Sequence, residues 1–143
     1  MPGVKTFDPK QVSVVVGGNI ISGWGPDEAI SAERNKDAWT LKVGVDGEAA
    51  RSKSNDKSGR IKLTLLQTSQ SNNALSALAA ADELSNAGAV PFFLKDNSPT
   101  GSTTGAALTC WVLKYPAVKY AHDVELREWT LETDDIELLV GGN

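Results

Sequence analysis

The sequence predicts a mainly β protein, an antiparallel β-sandwich or barrel with one flanking α-helix and a long inter-strand loop. Seven to nine segments alternate apolar and polar residues, with the period of two that is typical of half-buried strands. These segments follow one another in runs instead of alternating with helices, as they would in a parallel α/β fold. With 143 residues, 41% of them hydrophobic and 22% charged, the chain fits a single domain over residues 1–143.

The first strands are predicted to form a hairpin. In "QVSVVVGGNIIS" residues 12–16 form the first strand, Gly17 and Gly18 supply a tight turn, and residues 20–21 begin the return strand. The segment "GWGPDEA" at residues 23–29 interrupts strand pairing because it contains two glycines and a proline. A short strand follows in "AISAER".

Two clear strands then enclose a polar segment. "AWTLKVG" and "RIKLTLLQ" both alternate, and each has one apolar face that we expect to point into the core. For a large aromatic residue in that position, truncation to alanine costs about 3–5 kcal/mol, and we expect this for Trp39→Ala. The predicted inward residues are Trp39, Leu41 and Val43 in the first strand and Ile61, Leu63 and Leu65 in the second.

The segment between these strands, residues 44–60, is predicted to be an extended loop that is longer than a hairpin requires. Its second part, "RSKSNDKSGR" at residues 51–60, has four cations against Asp56 and no large apolar residue. Residues 121–143 contain seven carboxylates against Arg127. This asymmetry favours a head-to-tail contact between copies, with an ordinary solvated surface as the alternative.

One helix is predicted, at about residues 72–86, in "SNNALSALAAADELSNAG". We expect an N-cap at Ser71, Asn72 or Asn73, because short polar side chains accept hydrogen bonds from free backbone N–H groups. Gly88 is expected to end the helix in a left-handed conformation. An apolar stripe, which should pack against a sheet, consists of Leu75, Leu78 and Ala79.

The remaining strands are predicted in "VPFFLKD", in "AALTCWVLKYPAV" after the loop "NSPTGSTTG", and as two strands in "VELREWTLETDDIELLVGG". In the strand "AALTCWVLKYPAV" we expect Trp111, Leu113 and Tyr115 to share one side. Asp134 and Asp135 are the expected turn between the last two strands. Five residues of those two strands are expected to face inward: Trp129, Leu131, Ile136, Leu138 and Val140.

The sequence presents no catalytic constellation, and we expect no enzymatic activity, no cofactor and no metal. His122 and Asp123 are neighbours, and neighbouring side chains on a strand point to opposite faces. Cys110 lies in an apolar run and is expected to be a buried, unreactive thiol. One cysteine and one histidine do not make a zinc site of the usual kind. We expect no secretion signal and no membrane segment, because no apolar run approaches about 20 residues.

The basic segment permits two interpretations. It can bind phosphates as part of a nucleic-acid-binding module, although it lacks an aromatic residue for base stacking and the chain has a net charge of −4. Alternatively, it is a flexible arm that docks onto a neighbouring subunit, which we favour. The candidate contact residues are Arg51, Lys53, Asn55, Asp56, Lys57 and Arg60.

Three segments carry a resemblance to a known family: "FDPKQVSVVVGGNIISGWG", "SAERNKDAWTLKVGVDGEAARSKSNDKSGRIKLTLLQTSQSNNALSALAAAD" and "REWTLETDDIELLVGGN". Together they resemble bacteriophage structural proteins encoded among tail genes, and specifically the tail tube proteins of contractile, long-tailed phages. The resemblance covers nearly the whole chain and is weakest from about residue 96 to 125. Residues 31–82 are its most specific part.

This resemblance implies a fold of the tail tube type and a role in assembly. Six copies would join their sheets edge to edge in a ring, and rings would stack into a hollow tube for ejection of the phage DNA. The long loop, here residues 44–60, would reach the adjacent ring, and the helix at about 72–86 would face a neighbour or the sheath. The implied partners are other copies, the tail sheath, baseplate and terminator proteins, and DNA in an acidic lumen. The implied location is the virion, after assembly in the host cytoplasm.

Overall fold

In the computed structural model, which describes residues 3–142, the chain forms ten strands, one α-helix and a short 3-10 helix at Pro9–Gln11. Within these residues no helix has both the length and the hydropathy of a transmembrane span. The elements are β1 (Val12–Val16), β2 (Asn19–Ile20), β3 (Ile30–Arg34), β4 (Trp39–Val43), β5 (Ala49–Lys53), β6 (Gly59–Leu66), α1 (Ser71–Ser85), β7 (Val90–Asp96), β8 (Thr104–Lys114), β9 (Leu126–Thr133) and β10 (Glu137–Leu139).

Eight strands form one antiparallel sheet in the order β2-β1-β7-β8-β9-β6-β3, and β10 pairs with β8. The chain between β2 and β3 bridges the two sides of this sheet. Ile21 donates its N–H to the Val14 carbonyl on β1 at 2.9 Å, and Gly25 donates to the Thr64 carbonyl on β6 at 2.9 Å. The sheet thereby wraps around its own apolar face, which confirms the predicted mainly β, antiparallel fold.

The core lies on the inner face of this sheet and is closed by α1, which packs against β8 and β2. The predicted inward positions on β6 and β9 and the predicted helix stripe are confirmed, because apolar alternation places these residues on one side. The largest fully buried side chains are Phe92, Ile61, Leu63, Leu65, Leu75, Leu131, Ile136, Val14 and Val16.

The predicted inward face of β4 is wrong. Trp39 is 46% exposed, Leu41 66% and Val43 61%. β4 pairs only with β5, in a separate two-stranded sheet in which every residue is exposed. Alternation correctly assigned these three side chains to one face, but whether an element covers that face depends on packing that lies outside the strand itself.

Residues 44–60 are not a continuous loop, because Ala49–Lys53 is strand β5 and pairs with β4. The turn between the two strands is tight: Gly47 donates its N–H to the Gly44 carbonyl at 3.0 Å and has a left-handed φ of 88°. This is the geometry of a type I turn followed by a glycine bulge. The turn lets the polar segment 49–53 fold back onto β4.

Both predicted helix ends are shifted. Gln70 occupies the N-cap position without a side-chain cap bond, and the hydroxyl of Ser69 accepts from the N–H of Ser71 at 3.2 Å. At the other end Asn86, not Gly88, adopts the left-handed conformation, with a φ of 58°. Gly88 is needed for space, since a Cβ there would lie 2.4 Å from the Asp82 Cβ.

Asp134 and Asp135 do not reverse the chain, contrary to the predicted turn. β9 and β10 both pair antiparallel with β8, β9 along its second half and β10 along its first. The chain therefore continues in one direction past the two aspartates. Val140 is also not inward as predicted: it is 80% exposed, because it follows the end of β10.

β8 departs from simple alternation. Its register with β9 shifts between Val112 and Lys114, so the predicted common side of Trp111, Leu113 and Tyr115 is interrupted. Tyr115 lies after the end of the strand with its ring centroid 5.9 Å from that of Trp129. Cys110 is fully buried as predicted, and burial raises the pKa of its thiol to about 12.

Candidate subunit interface

The arm, residues 39–53, is the hairpin of β4 and β5, and its two faces differ in chemistry. The N–H of Ser54 donates to the Ala38 carbonyl at 2.8 Å and that of Gly44 to the Glu48 carbonyl at 2.7 Å, which fixes the hydrogen-bonded pairs. Trp39 and Lys53, and Leu41 and Arg51, are therefore non-hydrogen-bonded pairs whose side chains share a face. The opposite face is polar and carries Thr40, Lys42 and Ser52.

The first of these faces, the apolar arm face, combines large apolar side chains with two cations. Trp39, Leu41 and Val43 lie along β4, with Arg51 and Lys53 across from them on β5. The Arg51 guanidinium lies 3.8 Å from the centroid of the Trp39 ring, in cation–π geometry. At the tip Val45 is fully exposed. An apolar stripe of this kind on an exposed hairpin is typical of a contact surface.

The arm base, residues 34–38 and 54–58, fixes the arm to the barrel. Arg34 donates two hydrogen bonds to the Ile136 carbonyl, at 3.0 and 3.1 Å, and Ile136 donates its N–H to the Lys57 carbonyl at 3.0 Å. Asn35 donates from its side chain to the Ser58 hydroxyl at 3.1 Å. These bonds connect the start of β10 to both strands that enter the arm.

Glu137 adds charge to the same junction. Its carboxylate lies 3.5 Å from Arg34 and 3.5 Å from Lys57. A hydrogen bond with Asp135, followed by the charges of Lys57 and Arg34, holds the pKa of Glu137 below its ordinary value. The junction therefore favours the ionised form of this carboxyl.

The structure distributes the six predicted contact residues over three parts of the molecule. Arg51 and Lys53 lie on the arm, whereas Asn55, Asp56 and Lys57 belong to the arm base and Arg60 to β6. The Asp56 carboxylate accepts from the Ser58 hydroxyl at 2.6 Å and from its N–H at 3.0 Å, and these bonds lower its pKa.

Part of the charge asymmetry is neutralised within the chain. Lys57 lies 3.5 Å from Glu137, and Arg60 lies 3.6 Å from Glu132, its cross-strand neighbour on β9. Two cations of the basic segment thus face carboxylates of the acidic C-terminal region of the same molecule. The cations that project away from the barrel are Arg51 and Lys53.

β3 presents an open edge beside the arm base. Hydrogen bonds from Thr64 to Ala29 and from Asn35 to Ser58 set the alternation of the β3–β6 ladder. The backbone groups of Ile30, Ala32 and Arg34 consequently point away from β6. Among residues 3–142 no other strand pairs with this side of β3, so it is available for a strand of another molecule.

The sequence pattern does not indicate the apolar arm face, because it predicts Trp39 and Leu41 in the core and the basic segment as part of an extended loop. The sequence does contain a signal for this hairpin. Asp-Gly is a preferred hairpin turn, and Asp46-Gly47 is followed by a segment that can pair with β4.

Within residues 3–142, His, Cys, Asp and Glu side chains do not gather in threes as metal ligands. His122 lies in an exposed bend.

Comparison with known sequences identifies related proteins. The family model described as "Bacteriophage PhiTE tail tube protein" matches residues 10–141. A protein named "Structural protein ORF10" from Pseudomonas phage KPP10 is 27% identical over 146 residues, covering 96% of this chain and 83% of that relative.

Three solved structures share the fold. The tube-terminating cap of the anti-feeding prophage has a TM-score of 0.68 at 12% identity, covering 99% of this chain and 95% of that one. The PVC sheath/tube terminator of an extracellular contractile injection system in its extended state has a TM-score of 0.67 at 14% identity, covering 96% and 99%. The corresponding sheath-tube complex gives 0.63 at 14% identity, covering 95% and 93%.

Proposed function

The chain belongs to the bacteriophage PhiTE tail tube protein family, which confirms the resemblance found in the sequence, and from this we propose that it is a structural subunit of a phage tail tube. It is a component of the virion and acts by assembly. Six copies form a ring, rings stack into a hollow tube, and the phage genome passes through the lumen. Assembly takes place in the host cytoplasm.

The observation that carries this proposal is the arm. Every residue of β4 and β5 is exposed, yet one face carries Trp39, Leu41 and Val43. A two-stranded hairpin without packing is marginally stable in water, so this face requires a partner surface. Another copy in the adjacent ring supplies that surface, so the stacking of rings buries apolar area and is stabilised by it.

The open edge of β3 supports ring formation. The backbone groups of Ile30, Ala32 and Arg34 are directed outward, and pairing with a strand of the neighbouring copy would satisfy them. Closing a ring removes such edges from every subunit. Arm and edge thus serve two different contacts, one between rings and one within a ring.

Further partners are proposed from the relatives. Chains of a sheath/tube terminator and of a sheath-tube complex share this fold, which supports a sheath protein and a terminator as neighbours. A baseplate neighbour is proposed from the family alone. α1 covers one side of the barrel and exposes Leu84, which suits a contact with the sheath or the adjacent subunit. DNA contacts in the lumen are transient.

One observation supports the second candidate function, a nucleic-acid-binding module, and another argues against it. Trp39 provides an exposed aromatic side chain beside Arg51 and Lys53, the combination that single-strand binders use. However, Arg51 lies over the Trp39 ring and covers one of the two faces on which a base could stack. Filter binding with a steep loss of affinity at higher salt would favour this candidate.

Negative-stain microscopy of the purified protein tests the tube proposal. We expect rings or hollow tubes for the full chain. In a variant in which Asn-Gly replaces residues 39–53, the hydrogen-bonded pair of Ala38 and Ser54 flanks a two-residue turn, so the barrel should still fold. This variant should form no stacked tubes.

Single substitutions provide the matched control. Leu41→Ser removes apolar area from the proposed contact and should shorten or abolish the tubes, whereas Thr40→Ser lies on the opposite face and should not. Tubes of normal length from the arm-replacement variant, or a full-length chain that remains monomeric at every concentration and salt tested, would overturn the proposal.

A further inference from the structure

We propose that the surface that receives the arm is a groove at the opposite end of the barrel, between the N-terminal segment and the chain leading into β3. This inference rests on the proposed tube function and adds to it a specific acceptor on the next copy.

The groove and the arm lie at opposite ends of one ladder. β3 and β6 are paired from Ile30↔Leu63 to Arg34↔Gly59, and the arm leaves at the Arg34 end. The groove lies beyond the Ile30 end. Five residues of strand separate the two by roughly 15 Å, at about 3.3 Å per residue. Every residue of β4 and β5 is exposed, so the arm of one molecule is not folded back into its own groove, and a translated copy can present its arm there.

The groove is apolar and open. It encloses about 370 Å³, which is at the small end of the range for pockets that admit a ligand. It is therefore sized for a few large side chains, such as those of the apolar arm face. The side chains that form its apolar lining are Phe7, Pro9, Val12, Trp24, Pro26 and Ile30.

The charges of the groove complement those of the arm. Asp27 and Glu28 lie in the wall of the groove and are exposed. The apolar arm face carries Arg51 and Lys53 next to its hydrophobic stripe. An apolar surface with two carboxylates thus matches an apolar surface with two cations.

The acidic residues at the other end of the barrel are less suited to this role. Glu132 and Glu137 lie within 3.6 Å of cations of their own chain. By contrast, Asp27 and Glu28 have no ion pair among the described residues. Asp27 and Glu28 lie at the end of the barrel opposite the arm, so a contact between arm and groove is head-to-tail. Such a contact between translated copies repeats without closing.

Charge reversal tests the pairing of arm and groove. The double variant Arg51→Glu with Lys53→Glu should lose tubes, and so should the double variant Asp27→Lys with Glu28→Lys. Combining all four substitutions should restore tubes, because the attractive charge pairs are re-formed with opposite sign. The combined variant has the wild-type net charge and serves as the matched control. Circular dichroism and thermal unfolding of each variant monitor the fold.

Cysteine cross-linking gives a readout that does not depend on tube counts. Chains with Val43→Cys and chains with Pro26→Cys should form mixed disulfide dimers when co-assembled, whereas Thr40→Cys, on the polar face, should not pair with Pro26→Cys. The native Cys110 is fully buried and does not compete.

The outcomes separate this inference from the tube function. If wild-type tubes form but the combined variant does not assemble and no Val43–Pro26 cross-link appears, the groove is not the acceptor and the tube function stands. Tubes that persist in either double variant also overturn the groove assignment. Absence of wild-type tubes contradicts the tube function itself.

Discussion

Trp39 and Trp129 begin the same three-residue sequence, Trp-Thr-Leu, on strands β4 and β9, yet their environments are opposite. Trp129 is 2% exposed and donates its indole N–H to the Asn72 side chain at 2.9 Å. Trp39 is exposed and contacts Arg51. Identical local sequence thus places one tryptophan in the core and leaves the other for a partner.

Truncating the two tryptophans should separate folding from assembly. We expect Trp129→Ala to lower the free energy of unfolding by about 3–5 kcal/mol, because it opens a cavity and leaves the partly buried Asn72 side-chain oxygen without its donor. Trp39→Ala should change monomer stability by less than about 1 kcal/mol, since only surface contacts are lost. Urea denaturation of the unassembled chain measures both.

Truncation of Trp39 should instead affect assembly. Trp39→Ala should prevent stacking although the chain is folded, as judged by negative-stain images and light scattering. A loss of stability for Trp39→Ala equal to that of Trp129→Ala would show that the arm packs into the barrel and would contradict its role as a free contact element.

At the scale of elements, the arm base decides where the arm points. Arg34, Lys57 and Glu137 connect the two strands entering the arm to the start of β10. Gly59 tightens this junction, because an added Cβ would lie 2.6 Å from both the Glu33 carbonyl oxygen and the Ile136 side chain. Strand β10 is therefore connected to the arm base by hydrogen bonds and ion pairs.

This coupling should depend on pH. A hydrogen bond with Asp135 and the charge of Lys57 lower the pKa of Glu137 in the fold, so its stabilising contribution is present above the ordinary pKa of a glutamate and is lost as the pH falls through the lowered pKa of the folded state. The urea midpoint of the wild-type chain should exceed that of Glu137→Gln at neutral pH, and the difference should vanish in acid.

Glu48→Gln on the arm turn is the matched control and should show no such convergence with wild type. A wild-type advantage over Glu137→Gln that stays constant from neutral to acidic pH would mean that the carboxylate does not act through its charge. Surface ion pairs contribute little individually, so the pH dependence is more informative than the size of the effect.

At the scale of the whole molecule, the chain consists of a packed barrel and an unpacked arm. Ile61, Leu63 and Leu131 are fully buried in paired strands of the barrel, whereas residues 39–53 are exposed throughout. Local stability follows buried contacts, so the two parts should open independently.

Hydrogen exchange should reveal this difference. In dilute, unassembled protein the amides of residues 39–53 should exchange within seconds to minutes, while those of β6 and β9 remain protected for far longer. Assembly into tubes should protect the arm amides and the outward amides of β3, at Ile30, Ala32 and Arg34, and should leave those of β6 and β9 unchanged. Arm amides that are already protected in the monomer, or that stay unprotected in tubes, would contradict the proposed contact.

The sequence by itself determined the local features: the alternating strands, the helix stripe of Leu75 and Leu78, the buried thiol of Cys110 and the family to which the chain belongs. These follow from residue periodicity and composition, which act over a few neighbouring positions. Of the basic segment at residues 51–60, which the sequence favours as a contact with a neighbouring subunit, the structure places only Arg51 and Lys53 on the arm.

Only the tertiary structure decided which apolar faces are covered and which charges are paired. It placed Trp39 on an exposed arm, joined Lys57 and Arg60 to carboxylates 80 and 72 residues further along the chain, and continued the chain straight past Asp135. Alternation along a strand divides side chains between two faces. It does not determine which face meets another layer, because that depends on strands brought together from distant parts of the chain.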